Sequence, residues 1–210
     1  MSDPLVPYRI ETERLVIRPY DPRDAPILKE TVERSREHLW PWMDWTPAEP
    51  EPLEDVVQRL RTFRAQYDAD ENWIMGAWST DESRLLAGTG LHPRGGEGSL
   101  EIGFWVAVDA IGQGIATELT AVLARVCIEL LDRDRVDLQI QTGNERSANV
   151  ARKLGFTHEG TLRRRVPRRE GPRGDAMVFT LLREELPGSP CMAYAYTAYD
   201  VLGTPIVPSA

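Results

Sequence analysis

Gly112 and Gly114 stand two residues apart in the stretch Asp109-Ala110-Ile111-Gly112-Gln113-Gly114-Ile115-Ala116-Thr117, with Ala116 two further on. Glycine carries no Cβ, so the backbone there turns sharply and a large group can approach its N–H atoms. The residues that follow have helical spacing, and the first N–H groups of such a helix lack intrahelical partners and carry the positive end of its dipole. That is the chemistry of phosphate or pyrophosphate binding; the same spacing also fits a plain tight turn. Two other groupings have chemical potential. Six arginines (Arg163, Arg164, Arg165, Arg168, Arg169 and Arg173) against Glu170 give a net +5 between Thr161 and Arg173, suited to a phosphate-bearing ligand, to an acidic partner or to a solvated hairpin. Trp40, Trp42 and Trp45 fall within six residues beside Pro41, and fit either core or the lining of an acceptor pocket.

The rest of the composition narrows the class. A chain of 210 residues with 41% hydrophobic residues can bury a full core. Its net charge is −8, so −13 resides outside the arginine strip, which argues against general nucleic-acid binding. No apolar run approaches the roughly 20 residues of a membrane span. Met1-Ser2-Asp3-Pro4 has neither the basic region nor the apolar core of a signal peptide, so a cytoplasmic location is expected. Cys127 and Cys191 form no disulfide framework, and His38, His92 and His158 read as scattered surface or turn residues. No metal site is expected.

The elements that must position the glycine loop follow from periodicity. Thr12 to Tyr20 reads as a first strand, and Asp21-Pro22 starts a helix carrying Leu28, Val32 and Leu39. Val56, Leu60, Phe63 and Tyr67 form the stripe of a second helix. Trp73–Trp78 and Leu85–Leu91 read as strands. Leu100, Ile102, Phe104, Val106 and Val108 then alternate with Glu101, Gly103, Trp105, Ala107 and Asp109, placing Glu101 off the core face beside Trp105. After the loop, Ile115, Leu119, Val122, Val126 and Leu130 mark a helix, Val136 to Ile140 a strand, and Asn144 to Leu154 a short helix stopped by Gly155. Strands near Thr157–Val166 and Asp175–Leu182 enclose the arginine-rich turn. The strand before the loop, the helix and the strand after it make a β-α-β unit with parallel neighbours, while the remaining connections are hairpins.

Gly103-Phe104-Trp105-Val106, Gly112-Gln113-Gly114-Ile115-Ala116-Thr117-Glu118, Asn144-Glu145-Arg146-Ser147, Lys153-Leu154-Gly155-Phe156 and Glu159-Gly160-Thr161-Leu162-Arg163 occur in that order. Together they resemble the GCN5-related N-acetyltransferase (GNAT) superfamily. Thr12-Glu13-Arg14-Leu15 and the Ser35 to Trp45 segment resemble its branch of ribosomal-protein N-terminal (alanine/serine) acetyltransferases. The resemblance implies one α/β (α+β) domain over residues 8–186: a mixed seven-stranded sheet with splayed central parallel strands and about four helices. Residues 187–210 form an extension expected to add to a sheet edge or cross a subunit interface.

The resemblance further implies acetyl-CoA as donor and a primary amine as acceptor, of a protein N-terminus or a small molecule, attacking directly in a ternary complex. The backbone of Trp105, Val106, Ala107 and Val108 would bind the pantetheine arm, with an N–H near Val106 for the oxyanion. Gly112, Gln113, Gly114, Ile115, Ala116 and Thr117 would hold the pyrophosphate. Asn144 would contact the coenzyme; Asn149 is either a second contact or a helix-surface residue. Glu101, through water, and Glu159 are alternative bases, each with a structural alternative. Ser147 is either the proton donor to sulfur or the cap of its helix, and Trp40, Trp42 and Trp45 would line the acceptor pocket. A homodimer is expected, with no membrane partner.

Asp109, Ile111 and Gln113 depart from the family, which commonly has basic or amide residues there, so backbone donors must dominate. That departure keeps open a second reading, an acyl-CoA-binding sensor or scaffold with weak or no turnover. A third, nucleotide or RNA binding through the arginine strip, lacks a phosphate loop ending in Gly-Lys-Ser/Thr and interleaved aromatics.

Overall fold

A computed structural model describes residues 6–207; Met1 to Pro4, read above for targeting, and Pro208 in the tail lie outside the described residues. Ten strands form one sheet: β1 (Arg9–Glu11), β2 (Val16–Pro19), β3 (Trp73–Trp78), β4 (Leu85–His92), β5 (Ser99–Val106), β6 (Arg135–Gln141), β7 (Thr157–Val166), β8 (Gly174–Leu182), β9 (Thr197–Tyr199) and β10 (Pro205–Ile206). Their order is β10-β9-β1-β2-β3-β4-β5-β6-β8-β7. Every pairing is antiparallel except β5 with β6. Four α-helices accompany the sheet: α1 (Ala25–Leu39), α2 (Leu53–Asp68), α3 (Ile115–Arg125), which runs on into a π-helical turn over Val126–Leu130, and α4 (Glu145–Lys153).

The sheet exceeds the expected seven strands at one end. Thr12 Oγ1 accepts from the N–H groups of Arg14 and Leu15, turning the chain so that β1 folds back on β2 as a separate short strand. The tail supplies the other two: β9 pairs with β1, and β10 with β9. Arg125 Nη1 donates to the Tyr194 carbonyl at 2.8 Å and Tyr196 Oη to Glu129 at 2.9 Å, pinning the tail against α3.

The two faces of the sheet have different work. Leu28 and Val32 of α1 and Val56 and Leu60 of α2 pack with Val16, Tyr20, Trp78 and Leu85 in one cluster. Leu119, Val122 and Ala148 of α3 and α4 pack in the other with Leu100, Ile102, Val136 and Leu138. Successive strand residues point to opposite faces, so Glu101 and Trp105 look toward the α1–α2 side.

The central feature is a parting of strands. β5 and β6 pair only over Ser99↔Arg135, Leu100↔Val136 and Glu101↔Asp137. Beyond that, β5 stays with β4 as far as Val106, and β6 stays with β8 as far as Gln141. Each keeps its outer neighbour and loses its inner one, leaving a wedge that opens toward the glycine loop.

Candidate active site

The ladder continues past β5: Ala107 N donates to the Leu86 carbonyl at 2.9 Å. Alternation along an antiparallel ladder then turns the N–H and C=O of Phe104 and Val106 the other way, into the wedge. Trp105, two residues before Ala107 and opposite Gly88, turns its N–H to β4 as Ala107 does. Val108 N is engaged by Ser35 Oγ at 3.0 Å, so three of the four N–H groups expected to serve the pantetheine arm, those of Trp105, Ala107 and Val108, face elsewhere. Val106 retains a donor facing the gap.

At the far end of the wedge, Gly112 and Gly114 take φ of +77° and +80°, a region disfavoured for side chains bearing a Cβ. Gly114 is the N-cap of α3, and no side chain caps that end. The N–H groups of Ile115, Ala116 and Thr117 therefore start the helix without partners of their own, while Glu118 N returns to the Gly114 carbonyl. A Cβ at Gly112 would meet nothing within 4 Å, so the cradle is open. Arg14 Nη1 donates to the Gln113 carbonyl at 2.9 Å, and Arg14 also pairs with the buried Glu118, which locks the loop to the start of β2. Asp109 does not stand as a bare negative charge beside the cradle: Arg84 lies 3.2 Å and Arg34 3.5 Å from its carboxylate. Ile111 is half-buried, and the Gln113 amide donates to the Asp109 carbonyl at 2.8 Å.

A cleft of about 520 Å³ enters from the opposite, α1–α2 side. Glu101, His92, Trp105, Trp42, Trp45 and Ser147 are among its lining residues. Trp105 lies flat on Gly88, where a Cβ would come within 2.2 Å of Nε1, and Trp45 tilts against it at 5.9 Å between ring centroids. Glu101 is 8% exposed and receives a 2.8 Å hydrogen bond from Gln139 Nε2, with Arg94 at 3.6 Å. Burial pushes its carboxyl pKa up, while Arg94 and Gln139 oppose the rise, so it is a carboxylate whose basicity exceeds that of an exposed one.

Asn144 is the N-cap of α4, its Oδ1 accepting from Ser147 N at 3.2 Å. The capping alternative for Ser147 is thereby overturned: the cap is Asn144, and Ser147 stands one turn into the helix facing the cleft. Three expected site residues are not brought to the cleft. Glu159 is exposed on the edge strand β7, the extra residue of a bulge between the pairs His158↔Phe179 and Gly160↔Val178. Asn149 is exposed and accepts from Arg152 Nη1 at 2.9 Å. Trp40 leaves the end of α1 toward solvent and stacks under Arg169 at 3.7 Å, so only Trp42 and Trp45 of the trio reach the cleft. His92, read from sequence as a surface or turn residue, is instead buried at the end of β4. Asn72, Gln139, Arg34 and Arg84 are site neighbours that no sequence motif marked, and Arg14 lay in a motif that carried no site role. Among the described residues there is no cluster of metal-ligating side chains, and no helix is long and apolar enough to cross a membrane.

Residues 14–157 match the acetyltransferase (GNAT) domain family. A Bacillus subtilis protein assigned as a ribosomal N-acetyltransferase, YdaF, is 30% identical over 179 residues, covering 84% of this chain and 95% of its own. The chain belongs to the GNAT acetyltransferase family. The solved structure of Mycobacterium smegmatis RimJ in complex with CoA-disulfide matches with a TM-score of 0.79 at 23% identity, over 89% of this chain and 92% of that one. The microcin C7 self-immunity acetyltransferase MccE, solved with acetyl-CoA and AMP, matches with a TM-score of 0.74 at 17% identity, over 81% and 93%. As a GNAT protein the chain is an acetyl-CoA-dependent N-acetyltransferase. Its open glycine cradle and uncapped α3 fit the pyrophosphate of that donor.

Proposed function

We propose that this GNAT protein transfers acetyl from acetyl-CoA to a primary amine by direct attack in a ternary complex, a protein N-terminal amine being the favoured acceptor and a small-molecule amine the alternative. The observation that carries the reading is the wedge between β5 and β6, reached from one side by the α3 cradle and from the other by a cleft with a buried carboxylate. Two substrates entering from opposite sides can meet without a covalent enzyme intermediate, and holding them together supplies much of the rate.

The residues divide the task. Backbone N–H groups at Gly114 to Thr117 bind the pyrophosphate. The Val106 N–H, turned into the wedge, donates to the oxyanion that develops on the thioester carbonyl. Glu101 takes the proton of the incoming ammonium through water, and Ser147 donates to the departing sulfur. A thiol has an ordinary pKa near 8.5, so the last step needs little help. Trp42, Trp45 and Trp105 present apolar surface to the group beside the amine. The likeness to YdaF supports a protein acceptor.

The protein is also read as a cytoplasmic homodimer with a catalytic unit over residues 8–186. Two buried free cysteines, Cys127 and Cys191, support a reducing compartment. Leu202, 85% exposed at the turn before β10 beside exposed Val201, supports a second copy on the tail, and sedimentation measures it. The acetyl-transfer reading is tested by thiol release from acetyl-CoA with free-amine peptides and polyamines, and by mass spectrometry of the products. No acetylated product from any amine would refute it.

A further inference from the structure

His92 closes β4 directly opposite Glu101 in the β4–β5 ladder and is 9% exposed. Its Nδ1 lies 2.7 Å from Asn72 Oδ1. An amide oxygen only accepts, so Nδ1 carries the proton and Nε2 keeps a free lone pair. The ring folds back along the strands: a Cβ built on Gly90 would come within 2.8 Å of Nε2, and one on Gly103 within 3.2 Å. Gly103 follows the last β5–β6 pair, Glu101↔Asp137, by two residues, so the lone pair lies where the strands begin to part. Burial and then the Arg94 guanidinium hold the imidazole pKa down at about 4, which keeps the ring uncharged at neutral pH.

A primary ammonium carries one positive charge and three N–H donors. Glu101 offers one negative charge, and a neutral His92 offers an acceptor without adding a second charge; an imidazolium there would repel the cation. Resting on the acetyl-transfer reading, we propose that His92, held by Asn72, binds the acceptor amine, Nε2 accepting one of its N–H groups while another is directed through water to the Glu101 carboxylate. His92 thereby fixes the nitrogen at the mouth of the wedge, and Asn72 is a positioning residue that sets the tautomer. Gly90 and Gly103 leave the space that the ring occupies.

The test uses the full chain, labelled with 15N-histidine and loaded with CoA, and two probes of equal charge: methylammonium, with N–H donors, and tetramethylammonium, with none. The proposal expects Nδ1 protonated in the free protein, a shift of the His92 Nε2 resonance with methylammonium, and none with tetramethylammonium. It is overturned if both cations or neither move that resonance, or if the proton sits on Nε2. In thiol-release kinetics with a pooled library of free-amine peptides, His92→Phe should raise the amine KM about tenfold, the effect of losing one hydrogen bond to a charged group. The acetyl-CoA KM should be unchanged, and His92→Gln, which keeps an acceptor, should recover part of the loss. An unchanged amine KM in His92→Phe would overturn the proposal. Absence of wild-type turnover would instead refute acetyl transfer, leaving the resonance shifts to decide whether His92 binds an amine.

Discussion

Replacing Gly114 separates the cost of backbone strain from the loss of donor binding. Gly114 sits at φ +80° and ψ +2°, and a Cβ there would meet only Arg14 Nη2, at 3.5 Å, an ordinary contact. Gly114→Ala should therefore cost only the left-handed conformation, about 1–2 kcal/mol, and the variant should fold with Tm lowered by roughly 2–8 °C for a chain of this size. A methyl group at the entrance to the α3 N–H groups should weaken acetyl-CoA about tenfold, or ~1.4 kcal/mol, and the indole of Gly114→Trp about a hundredfold or more. Gly203 supplies the control, with φ +79° and nothing within 4 Å of an added Cβ: Gly203→Ala should carry similar strain and leave affinity unchanged. Urea unfolding and calorimetric titration of acetyl-CoA read both quantities. A folded Gly114→Trp protein with wild-type affinity would refute the cradle, and equal affinity loss in Gly203→Ala would show that strain alone explains the effect.

Other perturbations follow from the same geometry. Glu101→Gln should lower kcat/KM by about 10²-fold or more; because burial raises this carboxyl pKa and only the ionised form accepts a proton, the wild-type acid limb should lie above the ordinary carboxylate range and vanish in the variant, which a pH–rate profile checks. Arg169 donates to the Met43 carbonyl at 3.1 Å and to that of Thr46, and stacks on Trp40. Arg169→Ala should free the tryptophan loop from the β7–β8 hairpin, raising the amine KM several-fold, on the order of a 1 kcal/mol change, with the acetyl-CoA KM constant in two-substrate kinetics. Ending the chain at Leu186 removes β9, the Arg125 contact to Tyr194 and buried Cys191. Urea unfolding should show a loss of ~2–5 kcal/mol, and an unchanged midpoint would contradict a packed tail.

Much of the fold was legible because its signals are local. Leu100 to Val108 alternates cleanly, and Val56, Leu60 and Tyr67 recur at helical spacing, so β5 and α2 emerge from periodicity. β1 and β9 each have three residues, too few for a period, and they pair with each other across most of the chain's length, a contact that local pattern does not signal. Motif order led to the cradle, and strand parity led to Glu101. Glu159 was placed by motif order alone, which does not reveal that β7 is the edge strand outside β8, away from the parting of β5 and β6. His92 was missed because its significance is non-local: it faces Glu101 only once the Gly95 to Gly98 turn folds β4 on β5, and its tautomer is set by Asn72, twenty residues earlier. The charge balance around Asp109 was hidden likewise, since Arg34 comes from α1 and Arg84 from the turn before β4.

Initial-rate kinetics with both acetyl-CoA and a free-amine peptide varied, with the product identified by mass spectrometry, test the central claim most directly. Direct transfer across the wedge predicts intersecting reciprocal plots and one acetyl group on the peptide nitrogen. Parallel plots would contradict the ternary complex by indicating an acetylated enzyme, and tight acetyl-CoA binding with no acetylated amine would contradict the transfer itself.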